Sequence, residues 1–271
     1  MKLRVVLYCL LGGLPMSIAA LGAGHFAWFW LSGIVLAAAF VPVALFGPRT
    51  ALGQFAVIAP VLAIVTALCT WSEALIFAPQ TRQHPARDLA GVLVMYLIVA
   101  IVLAALAWGL RLPKLASSPI DRRSLVGTLA IIPVCGIAYL VFYMVFGGIT
   151  YQFFTKVYYP EAAQVATSLG LWFWAIQIGR GALMTLAVLP AIYTLRMKRW
   201  QSALVIGIII WVAGGLAPLL IPNPFMGTTQ RIIHIVEILT QNFPLGLVAV
   251  WLLRPKPNVT PVAIPKIAAS F

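Results

Sequence analysis

The sequence predicts an all-α polytopic membrane bundle, a single integral domain over 1–271 with about eight transmembrane helices. Three observations predict it. Hydrophobic residues fill 63% of the 271 positions and charged residues 8%, with a mean hydropathy of +1.04. No water-soluble core of this size needs so much apolar surface. Apolar runs of about spanning length follow one another at 5–22, 26–46, 51–77, 89–110, 125–149, 171–193, 203–221 and 232–253.

Charge supplies the third observation. Begin the chain in the cytoplasm, and the inner segments carry Lys2, Arg4, Arg49, Arg111, Lys114, Arg122, Arg123, Arg196, Lys198, Arg199, Arg254, Lys256 and Lys266. The outer segments carry only Arg82, Arg87, Lys156 and Arg231. This positive-inside bias puts both termini in the cytoplasm. The net charge of +13 is therefore a topology signal directed at the lipid bilayer, and it lends no support to nucleic-acid binding. Basic inner loops without an organelle-targeting feature point to a bacterial cytoplasmic (inner) membrane.

The first run opens Met1-Lys2-Leu3-Arg4 and ends near Ala19, Ala20 and Gly22, a pattern that also fits a cleavable signal peptide. Cleavage would leave seven spans in the same orientation. The first four runs are mostly Ala, Val, Leu and Ile, with Thr66, Cys69, Thr70 and Glu73 gathered late in the third. The inner loop 111–124 divides a first half, 1–110, from a second, 125–271, which holds most of the buried polar groups and a short cytoplasmic tail. Neither charge nor proline placement repeats between the halves, so an inverted-repeat carrier is not indicated.

The connection 150–170 is rich in aromatics and suits an interfacial helix or lid at headgroup level. The connection 221–229, with Pro222, Asn223, Pro224 and Gly227, reads as an ordered turn. Cys9, Cys69 and Cys135 all lie in apolar runs and read as small buried hydrophobes.

Arg180 stands near the middle of the sixth run. An arginine at that depth costs at least ~2.5 kcal/mol to insert, so it needs a partner. It shares an arc with Phe173, Gln177 and Met184, between Gly179 and Gly181, which admit a neighbouring backbone. In the last run Gln230, His234, Glu237 and Gln241 fall within about 60° of one another, a polar stripe on an apolar helix. Asn242 and the kinking Pro244 follow, and Arg231 marks the outer boundary. Only Glu73 and Glu237 are acids at a depth Arg180 reaches, so a pairing with either or both is expected. Gln177, Gln241, Tyr139 and Tyr143 are the expected hydrogen-bond partners. His234, one turn from Glu237, is placed to hold or relay a proton.

No metal or cofactor is expected. His25, His84 and His234 share no ligand spacing, and His234-x-x-Glu237 is only an i, i+3 polar pair. No lysine lies within the core runs to form a Schiff base, and no nucleophile-base-acid triad or phosphate loop is present.

From Tyr158-Tyr159-Pro160-Glu161, through Gln177-Ile178-Gly179-Arg180-Gly181 and Leu189-Pro190, to Asn223-Pro224-Phe225-Met226 and Arg231-x-x-His234-x-x-Glu237-x-x-x-x-Asn242-Phe243, the second half resembles an uncharacterised family of bacterial multi-pass inner-membrane proteins. The resemblance covers about half the chain and implies no substrate, reaction or cofactor.

Three function classes follow. The first is a permease or binder of a small anionic or lipid-linked ligand, held in an outward-facing pocket of Arg180, Glu237, His234, Gln177, Gln241, Glu73, Asn242 and Arg231. The second is a scaffold or accessory subunit whose buried ion pair is structural. The third is an intramembrane lipid-modifying enzyme with His234 and Glu237 as acid and base and Arg180 stabilising negative charge.

Overall fold

A computed structural model of the chain describes residues 1–19, 21, 24–77, 83–115, 120, 122–223 and 226–255. Ala20, Gly22, Arg82, Pro224, Phe225, Lys256 and Lys266, which figure in the sequence reading, lie outside the described residues, as does the side chain of Ala19. The described chain is helical: α1 (Lys2–Ala19), α2 (Phe26–Phe46), α3 (Ala51–Phe77), α4 (Pro85–Gly109), α5 (Leu125–Thr155), α6 (Ala162–Leu169), α7 (Leu171–Ile192), α8 (Arg199–Leu220) and α9 (Thr228–Leu253). Seven of these, α2 to α5 and α7 to α9, are long and apolar enough to cross a membrane, which makes this a multi-pass membrane protein.

About eight spans are expected from the sequence, and the first run is not among the seven found in the described residues. The first run is described as a helix over Lys2–Ala19, 18 residues, at the lower end of the spanning range. It pairs antiparallel with α2. Gly13 abuts Gly33, where an added Cβ would come within 2.7 Å of the Gly13 Cα. Tyr8 and Met16 are fully buried. At the other extreme, α5 has 31 residues and is about 46 Å long. It absorbs the start of the aromatic connection, which was expected to be a separate interfacial piece. Only α6, eight residues long, stands apart there. Hydropathy loses α5 at 149 because Tyr151 and Gln152 are polar, whereas backbone bonding continues to Thr155.

Helix ends follow local chemistry. Ser124 caps α5 by accepting from the Gly127 N–H at 3.2 Å, Thr50 caps α3 from Gly53 at 3.0 Å, and Pro85 opens α4. Pro244 sits inside α9 without ending it. Among the described residues four stretches widen into π-helix: Val61–Cys69 in α3, Tyr143–Gly147 and Tyr151–Thr155 in α5, and Val212–Leu216 in α8. The first begins directly after Pro60, whose missing N–H breaks the α-helical bonding register.

The two halves interlock. The π segment of α3 packs on α7 and on the π segment of α8, and α2 packs on α8. Small residues set the closest crossings. At α8 on α9, a Cβ on Gly246 would fall 2.5 Å from the Gly207 Cα.

Basic residues gather at one end of the bundle and bond backbone carbonyls that the helices leave unpaired there. Arg4 donates to Arg111 O at 3.0 Å, Lys114 to Ala44 O at 2.5 Å and Arg123 to Leu252 O at 3.1 Å. Arg254 donates to Leu195 O at 3.3 Å and Met197 O at 3.1 Å, and Arg199 donates to Trp251 O. Cations are favoured at helix C-termini, so the charges that would orient the chain also close α2, α4, α7 and α9.

Candidate functional site

Away from the basic end, α3, α5, α7 and α9 turn polar side chains toward one another in two groups. The first surrounds Arg180 on α7. Its Nη2 donates to Glu73 Oε2 at 2.6 Å and its Nη1 to Gln177 Oε1 at 2.8 Å. The Tyr143 hydroxyl donates to the other Glu73 oxygen at 3.4 Å. The guanidinium carbon lies 5.8 Å and 6.0 Å from the ring centres of Tyr139 and Tyr143, within cation–π range. Cys69 is adjacent.

Local packing explains this arrangement. Gly181 lets α5 approach α7 so closely that its Cβ would sit 3.0 Å from the Gly136 Cα. That approach presents Tyr139 and Tyr143 to the guanidinium. Gly179 does not share the role, because nothing lies within 4 Å of its Cβ position. Glu73 arrives from α3 one turn after the π segment ends.

The second group is on α9. His234 Nδ1 and Glu237 Oε2 are 2.7 Å apart, and Gln241 Nε2 donates to Glu237 Oε1 at 3.2 Å. Tyr159, in the connection after α5, packs its ring 5.7 Å from the imidazole. Burial and the Glu237 charge push the Tyr159 hydroxyl above the ordinary tyrosine pKa. The segment 143–147 of α5 links the groups. Tyr143 holds Glu73, while a Cβ on Gly147, one turn on, would lie 3.4 Å from Glu237 Oε1 and 3.2 Å from Gln241 Nε2. Tyr143 feels the charges of Glu73, Arg180 and Glu237.

Arg180 therefore pairs with Glu73, while Glu237 takes His234 and Gln241. Two other residues of the predicted pocket stand elsewhere. Asn242 donates to Ile210 O at 3.3 Å, beside the π segment of α8. Arg231 donates to Leu219 O and Leu220 O at 3.4 Å and 3.2 Å, closing the end of α8. Gln230 leaves the α9 stripe as well, its Oε1 accepting from the Gly227 N–H at 2.6 Å. Tyr159 and Gly147 were missed in the sequence. Tyr159 reads there as one interfacial aromatic among several, and Gly147 carries no side-chain signal.

Several polar atoms of these groups are buried without a protein partner: Arg180 Nε, Gln177 Nε2, His234 Nε2 and Tyr159 Oη. Gln177 is fully buried and the Arg180 side chain is 9% exposed, whereas that of Glu73 is 33% exposed. Buried donors ordinarily find a partner, in protein, ligand or ordered water, and two of these lie on adjacent turns of α7. Among the described residues no three His, Cys, Asp or Glu side chains come together as a metal site. No family model, no curated protein and no solved structure matches this chain.

Proposed function

We propose that the chain is a permease of the bacterial cytoplasmic membrane, both termini inside, which takes a small anionic or lipid-linked ligand at Arg180 from the outer side. The observation that carries this reading is the half-used edge of the guanidinium. Nε and Nη2 form one fork, suited to two oxygens of a carboxylate or phosphate. Glu73 occupies Nη2 alone and spends its second oxygen on Tyr143, leaving Nε unpartnered. A ligand anion fills both positions and displaces Glu73. The His234–Glu237 pair, linked to this group through the 143–147 segment of α5, is the candidate for coupling a proton to that exchange.

Native mass spectrometry of the detergent-purified chain beside Arg180→Lys tests the reading. A defined anionic adduct is expected on the wild type and not on the folded lysine variant, which keeps the charge and loses the fork. Equal retention by both would sink the fork. No adduct on either would favour a scaffold whose ion pair only fixes packing. The His234–Glu237 pair, with Nε2 unpartnered, also suits acid-base chemistry. Turnover lost with binding intact in Glu237→Gln would mark a lipid-modifying enzyme.

A further inference from the structure

At the basic end, α5 and α8 each begin with an arginine that their own dipoles disfavour. Arg123 directly precedes the cap of α5, and Arg199 is the first residue of α8. A helix N-terminus is positive, so a cation there is unfavourable. Both side chains turn instead to the last turn of α9. Arg123 Nε donates to Leu252 O at 3.1 Å, and Arg199 donates to the neighbouring Trp251 O. The Arg199 guanidinium stacks on the Trp251 ring, 4.3 Å from its centre. The two arginines are close enough for the charge of Arg123 to act on Arg199.

The α9 terminus offsets only part of this charge. It carries roughly half a negative charge against two guanidinium groups. Neither arginine has a carboxylate partner among the described residues, and Arg199 Nε is buried without any partner. Trp251, stacked on Arg199, and Trp200, next to Arg199 in the chain, are 48% and 53% exposed, and tryptophans of this kind favour the headgroup level. Among the described residues the surplus is thus positive and fork-shaped, with exposed tryptophan rings at hand. Arg4, Lys114 and Arg254 also bond backbone carbonyls at this end.

We infer that Arg123, Arg199 and Trp251 form a binding site for the phosphate of an anionic phospholipid in the leaflet at the basic end of the bundle. The remaining N–H groups of the two guanidinium forks take the phosphate oxygens, and the Trp251 and Trp200 rings lie along the glycerol and upper acyl region. This site is independent of Arg180 and of any ligand there.

The test uses the full chain in nanodiscs holding equimolar phosphatidylglycerol and phosphatidylcholine, with bound lipid counted by native mass spectrometry after mild release. Wild type is expected to retain phosphatidylglycerol preferentially. Arg123→Gln with Arg199→Gln should lower that preference about thirty-fold, at ~1 kcal/mol per juxtamembrane base. Arg122→Gln, an exposed neighbour outside the site, should leave it unchanged. An unchanged preference in the double variant overturns the site, and so does an equal loss in Arg122→Gln, which would reduce it to the field of the whole basic face. Displacement of the lipid by millimolar inorganic phosphate would assign the arginines to a free anion and overturn the lipid. Should the double variant not fold, Arg123→Gln alone, outside the helices, carries the same comparison with about a five-fold loss.

Discussion

Arg180 and Glu73 meet at 2.6 Å across 107 positions of sequence, joining the two halves of the chain at the heart of the bundle. The guanidinium is almost wholly buried and the carboxylate is one-third exposed, so the two do not depend on each other equally. Removing Glu73 strands a buried cation, while removing Arg180 leaves an anion that retains some solvation. Arg180→Met is expected to cost about 2 kcal/mol and Glu73→Leu about 3 kcal/mol. The double variant should cost less than the sum of the two. Thermal unfolding in detergent measures this, and strict additivity would contradict a direct pair.

Periodicity found the participants, but it did not find the pairing. An α-helical wheel gives a side chain's depth and face, and so marked Arg180, Gln177, His234, Glu237 and Gln241 from their own helices. It says nothing of which helix lies alongside. Pairing with Glu237 was as open as pairing with Glu73 until the crossing at Gly136 and Gly181 placed α5 between α7 and α9. Val61–Cys69 is π-helical, and its residues turn less than α-helical ones, which a sequence wheel does not represent. Asn242 and Arg231 fit the polar pattern, yet they serve backbone carbonyls, a use no wheel distinguishes from a pocket.

Glu237 fixes the state of the His234 ring. A carboxylate at 2.7 Å requires a proton on Nδ1, so whenever the ring is neutral its lone pair is on Nε2. Nitrogen-15 spectra of histidine-labelled protein should show that tautomer for His234, and Glu237→Gln should mix the two forms. His25 and His84 lie outside the cluster and serve as internal references. A mixed tautomer in the wild type would count against the dyad.

Alkaline stability should report on Tyr159. Its raised pKa means that the folded state holds the phenolic proton after the unfolded chain has released it. Its stabilising contribution is complete below the unfolded value of about 10 and is lost as pH climbs from there to the raised value. Between about pH 9 and about pH 11 the Tm of wild type is expected to fall more than that of Tyr159→Phe. Parallel curves would show that the hydroxyl is solvated as in the unfolded chain. Since Glu237 contributes to the shift, Glu237→Gln should narrow the gap.

Glycine substitutions separate crossings from open helix faces. A Cβ on Gly246 meets the Gly207 backbone at 2.5 Å, where no side chain exists to move aside, so Gly246→Ala forces α8 and α9 apart. About 1–3 kcal/mol should be lost. Gly179, next to Arg180, has no atom within 4 Å of its Cβ position, and Gly179→Ala should gain up to about 1 kcal/mol from helix propensity. Gly147→Ala falls between them. Its Cβ would press on Gln241 Nε2 at 3.2 Å and Glu237 Oε1 at 3.4 Å, both side-chain ends able to shift, so stability should change little. The His234 nitrogen signals should move nonetheless, because the carboxylate that sets its tautomer is displaced. Silent His234 signals in Gly147→Ala would mean that α5 does not communicate with the α9 pair, leaving Arg180–Glu73 and His234–Glu237 as two unconnected sites.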